Sequence, residues 1–208
     1  MLNIGGLTPF TTIDYPGKLA AVLFCQGCPW RCGYCYNQHL LPVGEQGRVS
    51  WQEVLQLLKQ RRGLLDAVVF SGGEPTMQPS LPVALEEVRG MGFLTGLHTG
   101  GAYPDRLAAC LPHLDWVGMD LKATFELYDE ITGGAGSGNA AEQSALLLRQ
   151  SGVSHQFRTT LDPFLLVSER LKKLQEQVAE WGDELVLQEC NEPTRLDYTA
   201  CQHGIWPY

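Results

Sequence analysis

A chain of 208 residues with 44% hydrophobic and 18% charged side chains can bury one sizeable core, and its composition excludes a disordered or fibrous protein. Fifteen Lys and Arg against 23 Asp and Glu leave a net charge of −8, which argues against a nucleic-acid surface built from broad basic patches. The longest apolar stretches, such as residues 19–25, are far too short to cross a membrane. No secretory signal and no repeat of fixed period is read, so the expectation is a cytoplasmic protein with one domain over residues 1–208.

Residues 1–18 read as a short extension ahead of the first strand, with Pro16-Gly17 suited to a type II turn. Residues 20–24 form the first predicted strand, and a cysteine-rich loop follows at once. Ser50-Trp51-Gln52-Glu53 reads as a capping box opening a helix with Val54, Leu57 and Leu58 on one face. Residues 67–70 give a second strand, ending in Ser71-Gly72-Gly73-Glu74-Pro75, and a helix through Leu81, Leu85 and Val88 comes next. The third strand, 93–97, runs into His98-Thr99-Gly100-Gly101, and the fourth, 116–119, into Asp120-Leu121-Lys122. Residues 133–138 are glycine-rich and read as a mobile loop; no lysine follows to make a phosphate-binding P-loop. A helix over 140–150, a fifth strand over 155–157 leading to Arg158-Thr159-Thr160, an amphipathic helix with Leu171, Leu174, Val178 and Trp181, and a sixth strand over 185–188 complete the pattern.

Strands alternating with helices predict βα units and a parallel sheet. Six units of about 30 residues each would occupy most of the chain. The first five strands each end in a polar or glycine-rich cluster, and in βα barrels the loops of that end converge on the active site. The expected architecture is therefore an α/β, incompletely closed six-stranded barrel.

Cys28, Cys32 and Cys35 form C-x3-C-x2-C on one loop that also holds Pro29, Trp30 and Gly33. Three thiolates suit a cubane iron–sulfur cluster with one iron left for another ligand. Three other readings compete. A zinc site would use Cys25-x2-Cys28 and Cys32-x2-Cys35, but zinc ribbons separate their pairs by a longer stretch. A ferredoxin-type carrier needs the order C-x2-C-x2-C-x3-C-P, which is absent. Disulfides fit poorly with seven cysteines, an odd number, crowded largely into one loop. Iron–sulfur chemistry is preferred, with Cys25 read as a small apolar residue ending a strand. Cys110, Cys190 and Cys201 read as buried inert thiols, and His155, His203 and the tryptophans as packing residues.

The cysteine spacing resembles the signature of the radical S-adenosylmethionine (SAM) enzymes. That resemblance implies a 4Fe-4S cluster whose open iron takes the amino and carboxylate groups of SAM, on an incomplete (β/α)6 barrel of the TIM-like kind. Ser71–Pro75 resembles the family's Gly-Gly-Glu-Pro motif, which implies that Gly72 and Gly73 offer a backbone edge to the SAM amino group and that Glu74 fixes it; a plain strand-to-helix turn is the alternative. Tyr34 resembles the family position against the adenine, or it simply packs. His98-Thr99-Gly100-Gly101 stands where glycyl-radical-enzyme activases often read Asp-Thr-Asn-Gly. Thr99 and Gly101 match, while His98 replaces an aspartate that helps hold a monovalent cation and is itself a poor partner for one.

Asp120 and Lys122 alternate along a strand end and are expected on one side, within reach of each other. They resemble an activase Asp-x-Lys pair that contacts SAM or substrate; a surface ion pair is the plainer alternative. Arg158 resembles a family arginine that meets the SAM carboxylate or ribose, or else it forms a salt bridge across the barrel.

Ile13-Asp14-Tyr15-Pro16-Gly17-Lys18 and residues 26–32 resemble the anaerobic ribonucleotide reductase activating proteins. The implied activity is that of a radical SAM oxidoreductase that places a glycyl radical on a partner enzyme. The implied partners are an anaerobic ribonucleotide reductase and a flavodoxin-like or ferredoxin-like electron donor, with no catalytic side chain beyond cluster and SAM. A radical SAM enzyme for a small molecule or nucleoside, of the deazapurine-synthesis type, shares every core motif. A non-catalytic iron–sulfur or zinc protein would share the cysteines alone.

Overall fold

The computed structural model describes residues 1–167 and 169–190; Cys201, His203 and Trp206 lie outside the described residues. Among those described, seven strands form one sheet in chain order: β1 (Ile4–Thr11), β2 (Ala20–Cys25), β3 (Ala67–Gly72), β4 (Leu94–Thr99), β5 (Trp116–Asp120), β6 (Ser154–Leu161) and β7 (Leu185–Glu189). Neighbours from β2 to β7 pair in parallel, as the alternating pattern predicts. The sheet is open, because β1 and β7 are its two edges.

The helices lie on the outer face: α1 (Trp51–Arg61), α2 (Leu81–Gly90), α3 (Pro104–Cys110), α4 (Tyr128–Thr132), α5 (Ser137–Ser151), α6 (Pro163–Leu166) and α7 (Arg170–Glu180). The predicted capping box opens α1: Ser50 Oγ accepts from the Glu53 amide, and the Glu53 carboxylate accepts from the Ser50 amide. The helical spacing turns Val54 and Leu58 inward, and both are fully buried. At about 25 cal/mol per Å² of apolar surface, each such side chain contributes roughly 2 kcal/mol.

The sheet divides the apolar residues into two layers. Ala21, Leu23, Cys25, Val68 and Phe70 pack toward the helices. The alternating residues Ala20, Val22, Ala67, Val69 and Trp116 form a smaller inner core with Tyr15. Tyr15 is brought there by the predicted turn: Gly17 has φ +69° and the Lys18 amide donates to the Tyr15 carbonyl at 3.2 Å. Its ring lies 5.2 Å from that of Trp116 and above Gly96, where any Cβ would come within 3.1 Å of it. One end of the inner barrel is thus plugged by aromatics.

Two expectations need correction. The segment before the first parallel strand is not a mere extension, since residues 4–11 form β1 and pair antiparallel with β2. Pro9 falls within the register shift between Thr8 and Thr11, an edge-strand position where a missing N–H costs least. The glycine-rich stretch is likewise not a loop throughout. Gly133 caps the end of α4 with φ +66°, Gly136 precedes α5 with φ +74°, and Ser137 and Gly138 are buried in the first turn of α5. Gly138 lies against the Phe125 carbonyl, where a Cβ would approach to 2.0 Å.

Candidate active site

The carboxyl ends of the parallel strands open on a cavity of about 550 Å³. Every predicted site residue lies on its wall: Cys28, Cys32 and Cys35, Tyr34, Gly72, Gly73 and Glu74, His98 and Thr99, Asp120 and Lys122, and Arg158. Sequence reasoning did not single out Ser71, Gly100 and Thr160, which neighbour the motif residues, or Gln188 and Glu189, which the strand-end rule applied to β7 would have found. Cys190 also lines the cavity and is half-buried, so it is not the inert core thiol expected; Cys110 is, at 1% exposure.

The cysteine loop is fixed by backbone contacts on both sides. The Gly27 and Cys28 amides donate to the Leu40 and Leu41 carbonyls, and the Arg31 amide donates to the Thr132 carbonyl at 2.7 Å. Arg31 Nη1 returns to the Cys28 and Trp30 carbonyls at 2.7 and 2.8 Å, closing the turn on itself. Trp30 points inward, 5% exposed. A Cβ on Gly100 would approach its ring to 2.4 Å, which explains why this position carries glycine.

Burial raises the Cys28 thiol to about 12, with the Glu74 charge adding to it, and raises Cys32 to about 11. Cys25 ends β2 fully buried, as expected of an apolar strand residue.

Beside the start of the cysteine loop, β3 ends in a cradle without side chains: the Gly73 amide donates to the Cys25 carbonyl and the Glu74 amide to the Gly27 carbonyl, each at 2.9 Å. Gly72 has φ +115°, and a Cβ there would come within 2.3 Å of the Cys25 amide nitrogen; on Gly73 it would come within 2.3 Å of the Gly27 carbonyl. Glu74 ties this cradle to the end of β4. One oxygen accepts from the Thr76 amide at 3.1 Å and from the Thr76 and Thr99 hydroxyls at 2.6 and 2.7 Å. The other accepts from the Gly100 amide at 2.9 Å. Glu74 and Thr99 are 2% and 3% exposed, so their hydrogen bonds serve the frame of the site.

Asp120 and Lys122 both reach the mouth, as expected, but the ion pair of the Asp120 carboxylate is made with Arg158. Arg158, its register partner on β6, donates to Asp120 Oδ1 through Nε and Nη2 at 2.9 and 2.7 Å. This is the cross-strand salt bridge weighed as an alternative for Arg158. Gly118 makes room for it, since a Cβ there would come within 2.9 Å of the guanidinium carbon. Burial raises the Asp120 carboxyl, but Arg158 and then Lys122 outweigh burial and hold it below its ordinary value. Lys122 instead stands over the Tyr34 ring, 5.6 Å from its centroid, with its Nζ toward the cysteine loop's side of the mouth.

His98 joins the ion pair to the N-terminal segment. Its Nε2 lies 2.8 Å from the Asp14 carbonyl and 3.2 Å from Arg158 Nη1, and its Nδ1 lies 3.4 Å from Ser71 Oγ. The carbonyl requires an N–H and the guanidinium a lone pair, so Nε2 serves one of them at a time. Burial first, and then the Arg158 charge, lower its pKa from 6.5 to about 4, which leaves the ring neutral.

The pattern of the radical SAM superfamily matches residues 22–176, and the chain belongs to that superfamily. A Methanocaldococcus jannaschii protein provisionally assigned as a glycyl-radical enzyme activating enzyme is 28% identical over 182 residues, covering 84% of this chain and 75% of that protein. The pyruvate formate-lyase-activating enzyme of Clostridium pasteurianum is 30% identical over 127 residues, covering 59% of this chain and 53% of that enzyme. An S-adenosylmethionine-dependent nucleotide dehydratase of a Thermoplasmatales archaeon is 28% identical over 139 residues, covering 64% and 49%. This chain therefore spans about half the length of the latter two relatives.

Among solved structures, anSMEcpe with bound AdoMet superposes with a TM-score of 0.65 at 18% identity, over 81% of this chain and 50% of that one. QueE from Escherichia coli superposes with a TM-score of 0.52 at 16% identity, over 90% and 93%. Both show the same fold. The family implies a 4Fe-4S cluster and SAM, and the site fits them: three cysteines on one loop and the side-chain-free Gly72–Gly73 edge line the same cavity. No helix among the described residues is long and apolar enough to cross a membrane.

Proposed function

We propose that this radical SAM enzyme activates a glycyl radical enzyme, and that its partner is an anaerobic ribonucleotide reductase. The observation that carries the reading is the single mouth that gathers the three cysteines, the Gly72–Gly73 cradle and the Lys122 ammonium. Cys28, Cys32 and Cys35 would hold the cluster as thiolates. The cradle would receive the SAM amino group, and Tyr34 offers a ring face for the adenine. Arg158 is already engaged by Asp120, so Lys122 is the cation best placed to meet the SAM carboxylate. When bound and reduced by a flavodoxin-like or ferredoxin-like donor, the cluster supplies the electron that cleaves SAM to methionine and a 5′-deoxyadenosyl radical.

A protein substrate is supported by the rim. Ile13 borders the cavity yet is 87% exposed, and Tyr36 beside the cysteines is 64% exposed. A ligand seated wholly inside the cavity would leave both in water, whereas a polypeptide loop entering it would cover them. The activating-enzyme relatives and the Ile13–Lys18 segment point to the same substrate class.

The test mixes reconstituted protein, SAM and dithionite with an anaerobic ribonucleotide reductase under anaerobic conditions. A glycyl-radical paramagnetic resonance signal is expected. A nucleotide substrate is the second reading, favoured by the dehydratase relative. Consumption of a nucleotide with no glycyl signal would replace the first reading with it.

A further inference from the structure

We propose that Tyr128 is a positioning residue that holds the cysteine loop and the Asp120–Lys122 strand end in one fixed relation. This rests on the reading that the mouth binds SAM beside a cluster. Tyr128 is fully buried and does not line the cavity, so it acts through other groups. Its hydroxyl accepts from the Lys122 amide at 3.0 Å and donates to the Asp120 carbonyl at 3.4 Å. One oxygen thus closes the backbone of the strand end just where both polar side chains project into the mouth.

The Tyr128 ring reaches the other wall. It meets Trp30 edge-on, with centroids 5.9 Å apart and planes at 71°, and Trp30 lies between Cys28 and Cys32. Tyr128 also opens α4, whose last residue, Thr132, accepts the Arg31 amide of the cysteine loop through its carbonyl. The Thr132 hydroxyl donates back to the Tyr128 carbonyl at 2.8 Å, joining the two ends of this single turn.

The glycine-rich stretch then locks α4 in place. Asp129 accepts from the Gly136 amide at 2.8 Å and from the Ser137 amide and hydroxyl at 2.9 and 2.8 Å. A five-residue helix has too few hydrogen bonds of its own to stay formed, so these outside contacts hold it. The brace has two hands, one on Lys122 and one on Arg31.

Tyr128→Phe keeps the ring and removes the hydroxyl. Hydrogen exchange on the metal-free protein should show the Lys122 amide accelerated about tenfold, the loss expected for one buried hydrogen bond. The Arg31 amide should accelerate as well, while the Leu58 amide in α1 stays unchanged. After reconstitution, iron content should match wild type, whereas KM for SAM rises about tenfold and kcat changes far less.

Acceleration at Lys122 alone, or a uniform rise at all three amides, would overturn the brace; so would an unchanged KM. Should Tyr128→Phe not fold, Trp30→Phe approaches from the opposite hand and must accelerate the Lys122 amide. Acceleration confined to Arg31 there would be equally fatal. A wild-type protein that binds no SAM would sink the functional reading while leaving the exchange result to stand or fall separately.

Discussion

Replacing Glu74 by glutamine changes one atom and tests how the frame of the mouth is held. The carboxylate takes four donors, three on one oxygen and the Gly100 amide on the other, and it is 2% exposed. A glutamine can satisfy only part of this. With its oxygen toward Thr76 and Thr99, its NH₂ faces the Gly100 N–H, donor against donor. Flipped, its NH₂ can donate to the two threonine hydroxyls, but the Thr76 N–H then has no acceptor. Either orientation orphans one buried backbone N–H and weakens the charge-assisted bonds that remain.

A buried orphan costs about 1–3 kcal/mol and each weakened ionic bond adds to it, so roughly 3 kcal/mol is expected. For a chain of this length about 1 kcal/mol moves the melting midpoint by roughly 2–4 °C, so the metal-free variant should melt roughly 6–12 °C lower. Differential scanning calorimetry reads this directly. A midpoint within 1 °C of wild type would refute the reasoning, because it would mean the four short contacts are not formed in solution.

Gly100→Ala should drive the Trp30 ring out of its seat, since the nearest ring carbon would stand 2.4 Å from the new Cβ; iron retained after anaerobic reconstitution should fall by half or more, and full retention would count against Trp30 as the anchor of the cysteine loop. Lys122→Met breaks no ion pair among the described residues and should leave the melting midpoint within about 2 °C while weakening SAM binding roughly tenfold, as calorimetric titration would show. His98 carries a pH signature. Its folded pKa of about 4 lies below the ordinary 6.5, so the folded state binds fewer protons; the stability it contributes is present above pH 6.5 and is lost as pH falls from 6.5 through 4, by roughly 3 kcal/mol in all. Urea midpoints between pH 7.5 and 4.5 should fall in that window for wild type and less steeply for His98→Gln, with parallel curves as the contrary result.

Much of this molecule was legible from its residues. Strands β2 and β3 were readable because strands buried on both faces carry unbroken apolar runs, such as Ala67-Val68-Val69-Phe70, while the more polar β6 and β7 were readable from their place in the strand–helix alternation. The cysteines and Gly72-Gly73-Glu74 were readable because a loop that holds a ligand constrains spacing as well as residue type. β1 was not, since Gly5, Gly6 and Pro9 are the residues that argue against a strand. Gly5 is there because Leu40 and Gln26 crowd it, a contact no local pattern announces. The ion-pair partner of Asp120 is hidden for a similar reason: spacing by two residues places Lys122 on the same side, whereas the β5–β6 register brings in Arg158, 38 positions away. Tyr128 left no signal at all, because its role depends on a hydroxyl meeting a strand end and a ring meeting a loop, both set only by the fold.

In the proposed enzyme three cysteines, and not Cys25, anchor the cluster, and SAM binds beside it at the Gly72–Gly73 edge. Anaerobic reconstitution of Cys25→Ala and Cys32→Ala side by side, followed by iron analysis and reductant-dependent SAM cleavage, tests it most directly. Four irons and SAM cleavage are expected in Cys25→Ala and neither in Cys32→Ala. Retention of both by Cys32→Ala, or their loss in a folded Cys25→Ala protein, would contradict it.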